Sequence, residues 1–319
     1  MRRTLAAVSV LLLAATTMVT ACTKDSGSDK PGTKVSVGVI PIIDVAPIYL
    51  GKAKGYFASR GIDLNLVPEQ GGAPIVKGVL SGKYQFGFSN VTSLMAAESD
   101  GAPLKAVASG VASTGRSGRD FSAIVVNGTS RIRTAKDLAG KKIAVNTLKN
   151  IGDTTVRQSV REAGGDADRL AFEAMPFASM PGALQAGKVD AAWVVEPQLS
   201  QVLTQGGQIV ASNYVDAAPK LTVALYFSSE PTIAKDPALA AKFTEAVKQS
   251  LQYAAGHPDE VRDTVGTYTP INDTVRIAMI LPSWPTEINR ASLERLAELG
   301  REDGIFAKPP ALDQLLPRD

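Results

Sequence analysis

From Lys34 onward the chain alternates short apolar runs with amphipathic stretches. KVSVGVI (34–40) predicts a buried strand, APIYLGKAKGYFASRG (46–61) a helix that stops at Gly61, and IDLNLVP (62–68) a strand with period-two alternation. APIVKGVLSGK (73–83) predicts a helix, QFGFS (85–89) a strand, NVTSLMAAESDG (90–101) a helix begun by Asn90 or Thr92, and LKAVASGV (104–111) a strand. A second run starts at Phe121. FSAIVVN (121–127), IAVN (143–146), LAFEAMP (170–176) and VDAAWVV (189–195) predict strands; TAKDLAGKK (134–142), IGDTTVRQSVREAGG (151–165), MPGALQAGK (180–188) and EPQLSQVLTQGG (196–207) predict helices. Such alternation is that of an α/β layer fold with a mostly parallel sheet. After IVASNYV (209–215) and TVALYFSSEP (222–231) the chain is mainly helical, with few strands of its own to cover. The economical arrangement returns the chain after the second lobe and packs these last helices on the first.

Two segments echo each other. SGKYQFGFSN (81–90) and AGKVDAAWVV (186–195) both place a glycine and a lysine between a helix and a buried strand. Glycine at a helix C-terminus is common, so the echo reads either as coincidence or as one turn in two lobes of similar build. The length of 319 residues exceeds the roughly 100–200 of one domain and favours two lobes.

Thirty-four Lys and Arg against thirty-one Asp and Glu leave a net charge of +3. A body so near neutrality gives no electrostatic case for nucleic acid. Residues 1–22, MRRTLAAVSVLLLAATTMVTAC, read as a signal peptide, and Val19-Thr20-Ala21-Cys22 matches the bacterial lipobox, in which the cysteine is lipidated. Cys22 is the one cysteine in the sequence, so no internal disulfide forms and the body has no thiol for catalysis or metal binding. Residues 23–33 are polar, glycine-rich and aperiodic, as a flexible tether would be. The expectation is a lipid-anchored protein on the extracytoplasmic face of the cell membrane.

As an ordered set, VGVIPIIDVAPIYLGKAKGYFASRGIDLNLVPEQGGAPIVKGVLSGKYQFGFSN (37–90), DLAGKKIAVNTLKNIGDTTVRQSVREAGG (137–165) and ALQAGKVDAAWVVEP (183–197) resemble the nitrate, sulfonate, taurine and thiamine-precursor solute-binding proteins of bacterial ABC importers. The resemblance spans most of residues 34–235. It implies a type II periplasmic binding protein fold, two α/β lobes with a ligand cleft and hinge strands between them: residues 34–122 and 224–319 in lobe 1, residues 123–223 in lobe 2. It implies capture of a small polar solute by lobe closure about strands near 121–127 and 222–228, and delivery to ABC permease and ATPase subunits by a monomer. The cysteine-rich motif of the pyrimidine synthases on this fold is absent, and one histidine (His257) with one cysteine leaves little for nucleophilic, metal or acid–base chemistry. No enzymatic activity, cofactor or metal is expected; the alternatives are an enzyme of pyrimidine or menaquinone precursor type and a ligand-sensing subunit.

In open α/β sheets ligands lie beyond the carboxyl ends of strands, at helix N-termini. That rule selects Asp44, Gly72, Ser89, Asn90 and Thr92 from the first run, with Pro41, Ile42, Ile43, Gly71, Ala73 and Val91 beside them, and Asn146, Thr147, Asn150, Gly152, Asp153, Thr154 and Glu196 from the second. Ser89 and Asn90 read equally as ligand contacts or as helix caps; so does Asp153. Gly152 lets a ligand approach closely. Glu196, before Pro197, opens a helix; the resemblance implies that an acid here faces the cleft, and Asp44 offers a second carboxylate. Arg116, with Arg119 in STGRSGRDF, is either an oxyanion clamp or part of a solvated loop. Tyr226, with Tyr49, Phe88 and Trp193, either stacks on a planar ligand or belongs to the core. Trp284 is a candidate for the mouth, and His257 for a surface or cap position.

Overall fold

The computed structural model describes residues 32–317. The signal peptide, Cys22 and nearly all of the tether lie outside the described residues. Ten strands form two five-stranded sheets. The first holds β1 (Thr33–Val39), β2 (Ile62–Pro68), β3 (Phe86–Asn90), β4 (Leu104–Ala112) and β10 (Thr222–Ser229) in the order β2-β1-β3-β10-β4. The second holds β5 (Ser122–Val126), β6 (Lys142–Val145), β7 (Ala171–Ala174), β8 (Ala191–Val195) and β9 (Gln208–Ala211) in the order β7-β6-β8-β5-β9. In each sheet three parallel strands adjoin one antiparallel strand that has crossed from the other sheet: β10 lies beside β3, and β5 beside β8.

The sequence echo is therefore a structural equivalence. Gly82 and Gly187 each end a helix at φ 77° and 66°, a left-handed conformation that favours glycine. Each turn leads into the third parallel strand of its sheet. The residues that follow repeat the same bonds: Gln85 Oε1 accepts from Ser36 N at 2.9 Å, and Asp190 Oδ2 accepts from Lys142 N at 2.8 Å. Each side chain thereby ties the new strand to the middle one of the three parallel strands of its sheet.

Two expectations are corrected. The helix predicted over 46–61 breaks into Ala46–Ala53 and a short 3₁₀ turn, Ala58–Arg60, because the chain turns left-handed at Gly55 (φ 78°). The strands at 121–127 and 222–228, about which closure is expected, are β5 and β10, each bonded on both sides in its sheet. The crossings lie just before them, at 113–121 and 212–221, where the ladders stop. The last helices divide: Pro237–Gly256 packs on Ala46–Ala53 and β4, with Phe243 stacked on Phe86 at 3.9 Å between ring centroids, whereas Asp273–Ala278 packs on Gln198–Thr204 beside the second sheet.

Candidate functional site

A small, partly enclosed space lies where the carboxyl ends of the parallel strands of both sheets meet. The first sheet contributes Ile40, Ile42 and Asp44 beyond β1, Phe88 and Asn90 on β3, and Val223 and Ala224 on β10. The second contributes Asn146 beyond β6, Ile151 at a helix start, Phe177 beyond β7, Trp193 and Val195 on β8, and Tyr214 on the return crossing. Four aromatic rings and a ring of aliphatic side chains thus surround three polar ones, Asp44, Asn90 and Asn146. No Lys or Arg is among them.

Two of the three polar lining groups hold buried oxygens with no hydrogen-bond partner, Asp44 Oδ1 and Asn146 Oδ1. Leaving a buried acceptor unpaired costs about 1–3 kcal/mol, so both atoms call for a donor that the protein does not supply. Asp44 is 3% exposed. Burial pushes its carboxyl up to about 7, its own backbone N–H pulls it down, and the charge of Asp120 raises it further. The buried hydroxyl of Tyr226, also unpaired, lies within the electrostatic reach of Asp44.

Trp193 forms one wall and is fixed by a relay of buried hydrogen bonds. Its Nε1 donates to Ser122 Oγ at 2.8 Å, Ser122 Oγ donates to Asn213 Oδ1 at 3.1 Å, and Asn213 Nδ2 donates to Thr155 Oγ1 at 2.7 Å. Phe177 meets the indole edge-on at 5.1 Å between centroids. Gly152 gives room to this ring and not to a ligand: a Cβ there would lie 2.4 Å from the indole. Gly152→Ala is therefore expected to destabilise the fold by about 1–3 kcal/mol, as overpacking does, and to displace the cavity wall. A urea-unfolding midpoint equal to that of the native protein would show that the ring gives way freely.

Of the other residues selected from sequence, several stand just behind the lining. Ser89 Oγ donates to Asn90 O at 3.2 Å, while Asn90 Oδ1 caps the helix Val91–Ser99 by accepting from Ser93 N at 2.9 Å. Asn90 is thus cap and lining residue together. Gly72 lets a helix start approach two hydroxyls, since a Cβ there would lie 2.2 Å from Ser89 Oγ and 2.7 Å from Ser93 Oγ. Asn150 caps its own helix through Ile151 N at 2.9 Å and reaches across to the first lobe, Nδ2 donating to Ser93 Oγ at 2.9 Å. Thr92 and Thr154 are fully buried, with unpaired hydroxyls. Asp153 accepts from Lys149 N at 2.8 Å and is raised by burial to about 6.

Glu196 lies outside the lining, and its carboxylate is occupied. It accepts from Ser200 N at 3.0 Å, Ser200 Oγ at 2.8 Å and Ile280 N at 2.9 Å, so it caps one helix and ties a C-terminal segment to it. Tyr49 stacks on Tyr268 at 4.1 Å. Trp284 is buried beneath the site, with Nε1 donating to Asp44 O at 3.4 Å. His257 stacks on Tyr253 at the surface. Arg116 is exposed, in a separate hollow. Phe177 and Tyr214 were not selected from sequence. Phe177 follows the carboxyl end of β7, where the strand-end rule points; Tyr214 enters only through the return crossing, which leaves no local signal. Among the described residues no group of three or more His, Cys, Asp or Glu side chains is placed to hold a metal ion.

Comparison with known proteins agrees with this architecture. The family model described as NMT1/THI5 like matches residues 42–261. The chain is 22% identical to the 4-amino-5-hydroxymethyl-2-methylpyrimidine phosphate synthase of Candida albicans, over 72% of this chain and 68% of that protein. It is 25% identical to a putative aliphatic sulfonates-binding protein of Bacillus subtilis, over 78% of this chain and 72% of that one. The alkanesulfonate-binding protein SsuA from Xanthomonas axonopodis pv. citri, solved bound to MOPS, superposes with a TM-score of 0.76 at 17% identity, covering 90% of this chain and 98% of that one.

Proposed function

The chain belongs to the NMT1/THI5-like family, and on that premise we propose that it is the extracytoplasmic solute-binding lipoprotein of an ABC importer. In this reading it captures a small planar heterocycle of the pyrimidine type between its two lobes and passes it to a permease. The observation that carries the reading is the cavity itself: aromatic walls, one buried carboxyl with an unpaired oxygen, and no cationic side chain in the lining. A flat ring with N–H donors stacks on such walls and satisfies Asp44. A nitrate or sulfonate would meet a carboxyl and no guanidinium. The lipobox ending at Cys22 supports a protein held at the membrane. Neither His nor Cys lines the cavity, which favours capture over the chemistry of the synthase relatives. Lobe closure follows from solute contacts made only when both sheets engage it.

Thermal unfolding of the purified protein against hydroxymethylpyrimidine, aminopyrimidines, alkanesulfonates, taurine and nitrate tests this. A true solute at about 100 times its Kd adds roughly 2.7 kcal/mol, an increase of about 4–5 °C for a protein of this size. A pyrimidine is expected to raise the midpoint. A shift confined to sulfonates or nitrate would refute the heterocycle, and a chemically altered pyrimidine in the incubation would refute capture without chemistry.

A further inference from the structure

We propose that the hollow at the crossing between the sheets is a second binding site, separate from the cavity, for a small polyvalent oxyanion of the di- or tricarboxylate class. The segment 113–121 is rigidly built. Asp120, 1% exposed, accepts from Ser113 Oγ at 2.6 Å, Thr114 N at 2.9 Å and Phe121 N at 3.0 Å. Thr114 Oγ1 donates to Arg119 O at 3.0 Å and accepts from Arg116 N at 3.2 Å; Arg119 N donates to Arg116 O at 3.0 Å; Gly118 N donates to Ser212 Oγ at 2.8 Å on the return crossing. A turn held at so many points presents Arg116 and Arg119 together, and both are exposed.

A third cation is adjacent. Lys220, exposed, lies against Gly115, where a Cβ would come within 3.2 Å of Lys220 Cγ. Among the described residues none of these three cations forms a salt bridge. The one carboxylate in the loop, Asp120, is turned inward onto the turn's own donors. Thr114, Arg116 and Arg119 face Ile280, Leu281 and Ser283 around about 1070 Å³ of space open to solvent. The opposite wall is anchored at both ends: Ser283 exchanges backbone hydrogen bonds with Ala112 at 2.9 and 3.0 Å, and Ile280 N donates to Glu196. Two guanidinium forks on a fixed turn suit carboxylate groups, each of which takes a fork bidentately. Ile280 and Leu281 supply an apolar surface for the carbon body between them.

Isothermal titration of the purified protein with citrate at constant ionic strength, with acetate as the monovalent control, tests the site. Saturable citrate binding is expected, weakened at least tenfold in Arg116→Gln/Arg119→Gln and less in Lys220→Gln. These side chains are exposed, so the unfolding midpoint without citrate should not move. Asp44→Asn should leave citrate affinity unchanged, which separates this site from the cavity and from the solute assigned to it. The proposal is overturned if citrate binding is absent, is matched by acetate, is indifferent to loss of both arginines, or disappears in Asp44→Asn.

Discussion

Replacing Asp44 with asparagine is expected to weaken binding of an N–H-bearing heterocycle by about 10- to 150-fold, the value of a hydrogen bond to a charged group. The same substitution is expected to abolish the pH dependence of binding. Asp44 combines burial, an unpaired oxygen in the cavity and a carboxyl raised to about 7. A donor or cation brought to Oδ1 favours the ionised form. Affinity for such a solute should therefore climb close to tenfold for each pH unit up to about 7 and level off above it. An anionic solute would need the protonated acid, and its affinity would fall above pH 7. The sign of the slope thus reports the class of solute before its identity is known. Titrations at pH 5.5, 6.5 and 8 on the native protein and on Asp44→Asn make the measurement; a slope that survives the substitution would assign the titration to another group.

Much of the fold was legible because its signals are local. Strands such as β3 and β5, buried at every position, read as apolar runs, and the equivalent turns at Gly82 and Gly187 require the residue that the sequence shows twice. The antiparallel insertion of β10 and β5 was not legible. It depends on pairing between distant segments, and TVALYFSS would read identically as an edge or a central strand. For the site, the strand-end rule reaches Ile42, Asp44, Asn90 and Asn146 of the lining. It could not tell which capping groups also face the cavity. Asn90 is both, whereas Glu196 spends its oxygens on Ser200 and Ile280, and that depends on a segment more than eighty residues away. Gly152 reads from sequence as a place where a ligand approaches closely, whereas what approaches is Trp193, brought there by a strand the local pattern does not reach.

The fold should also be more stable at pH 5 than at pH 8. Asp44 and Glu196 are raised by burial to about 7, and Asp153 to about 6. In the unfolded chain such groups titrate near 4. Between pH 4 and pH 7 the folded state therefore holds protons that the unfolded chain has released, and stability falls as pH rises through that window. Each tenfold difference in proton affinity is worth about 1.4 kcal/mol, so Asp44 alone represents a loss on the order of 4 kcal/mol. The carboxylates whose ionisation the fold favours, Glu69, Asp137 and Glu260, act in the opposite sense, but they lie at the surface, where water screens their partners. Glu196→Gln separates the contributions. The amide oxygen can still accept from Ile280 N and Ser200 Oγ, while the buried ionisation is gone, so the decline toward pH 8 should become shallower. Urea midpoints of both proteins at pH 5 and pH 8 decide the matter: a native midpoint that rises with pH would mean that these carboxyls are ionised at little cost, and that the site around Asp44 is wetter than its burial implies.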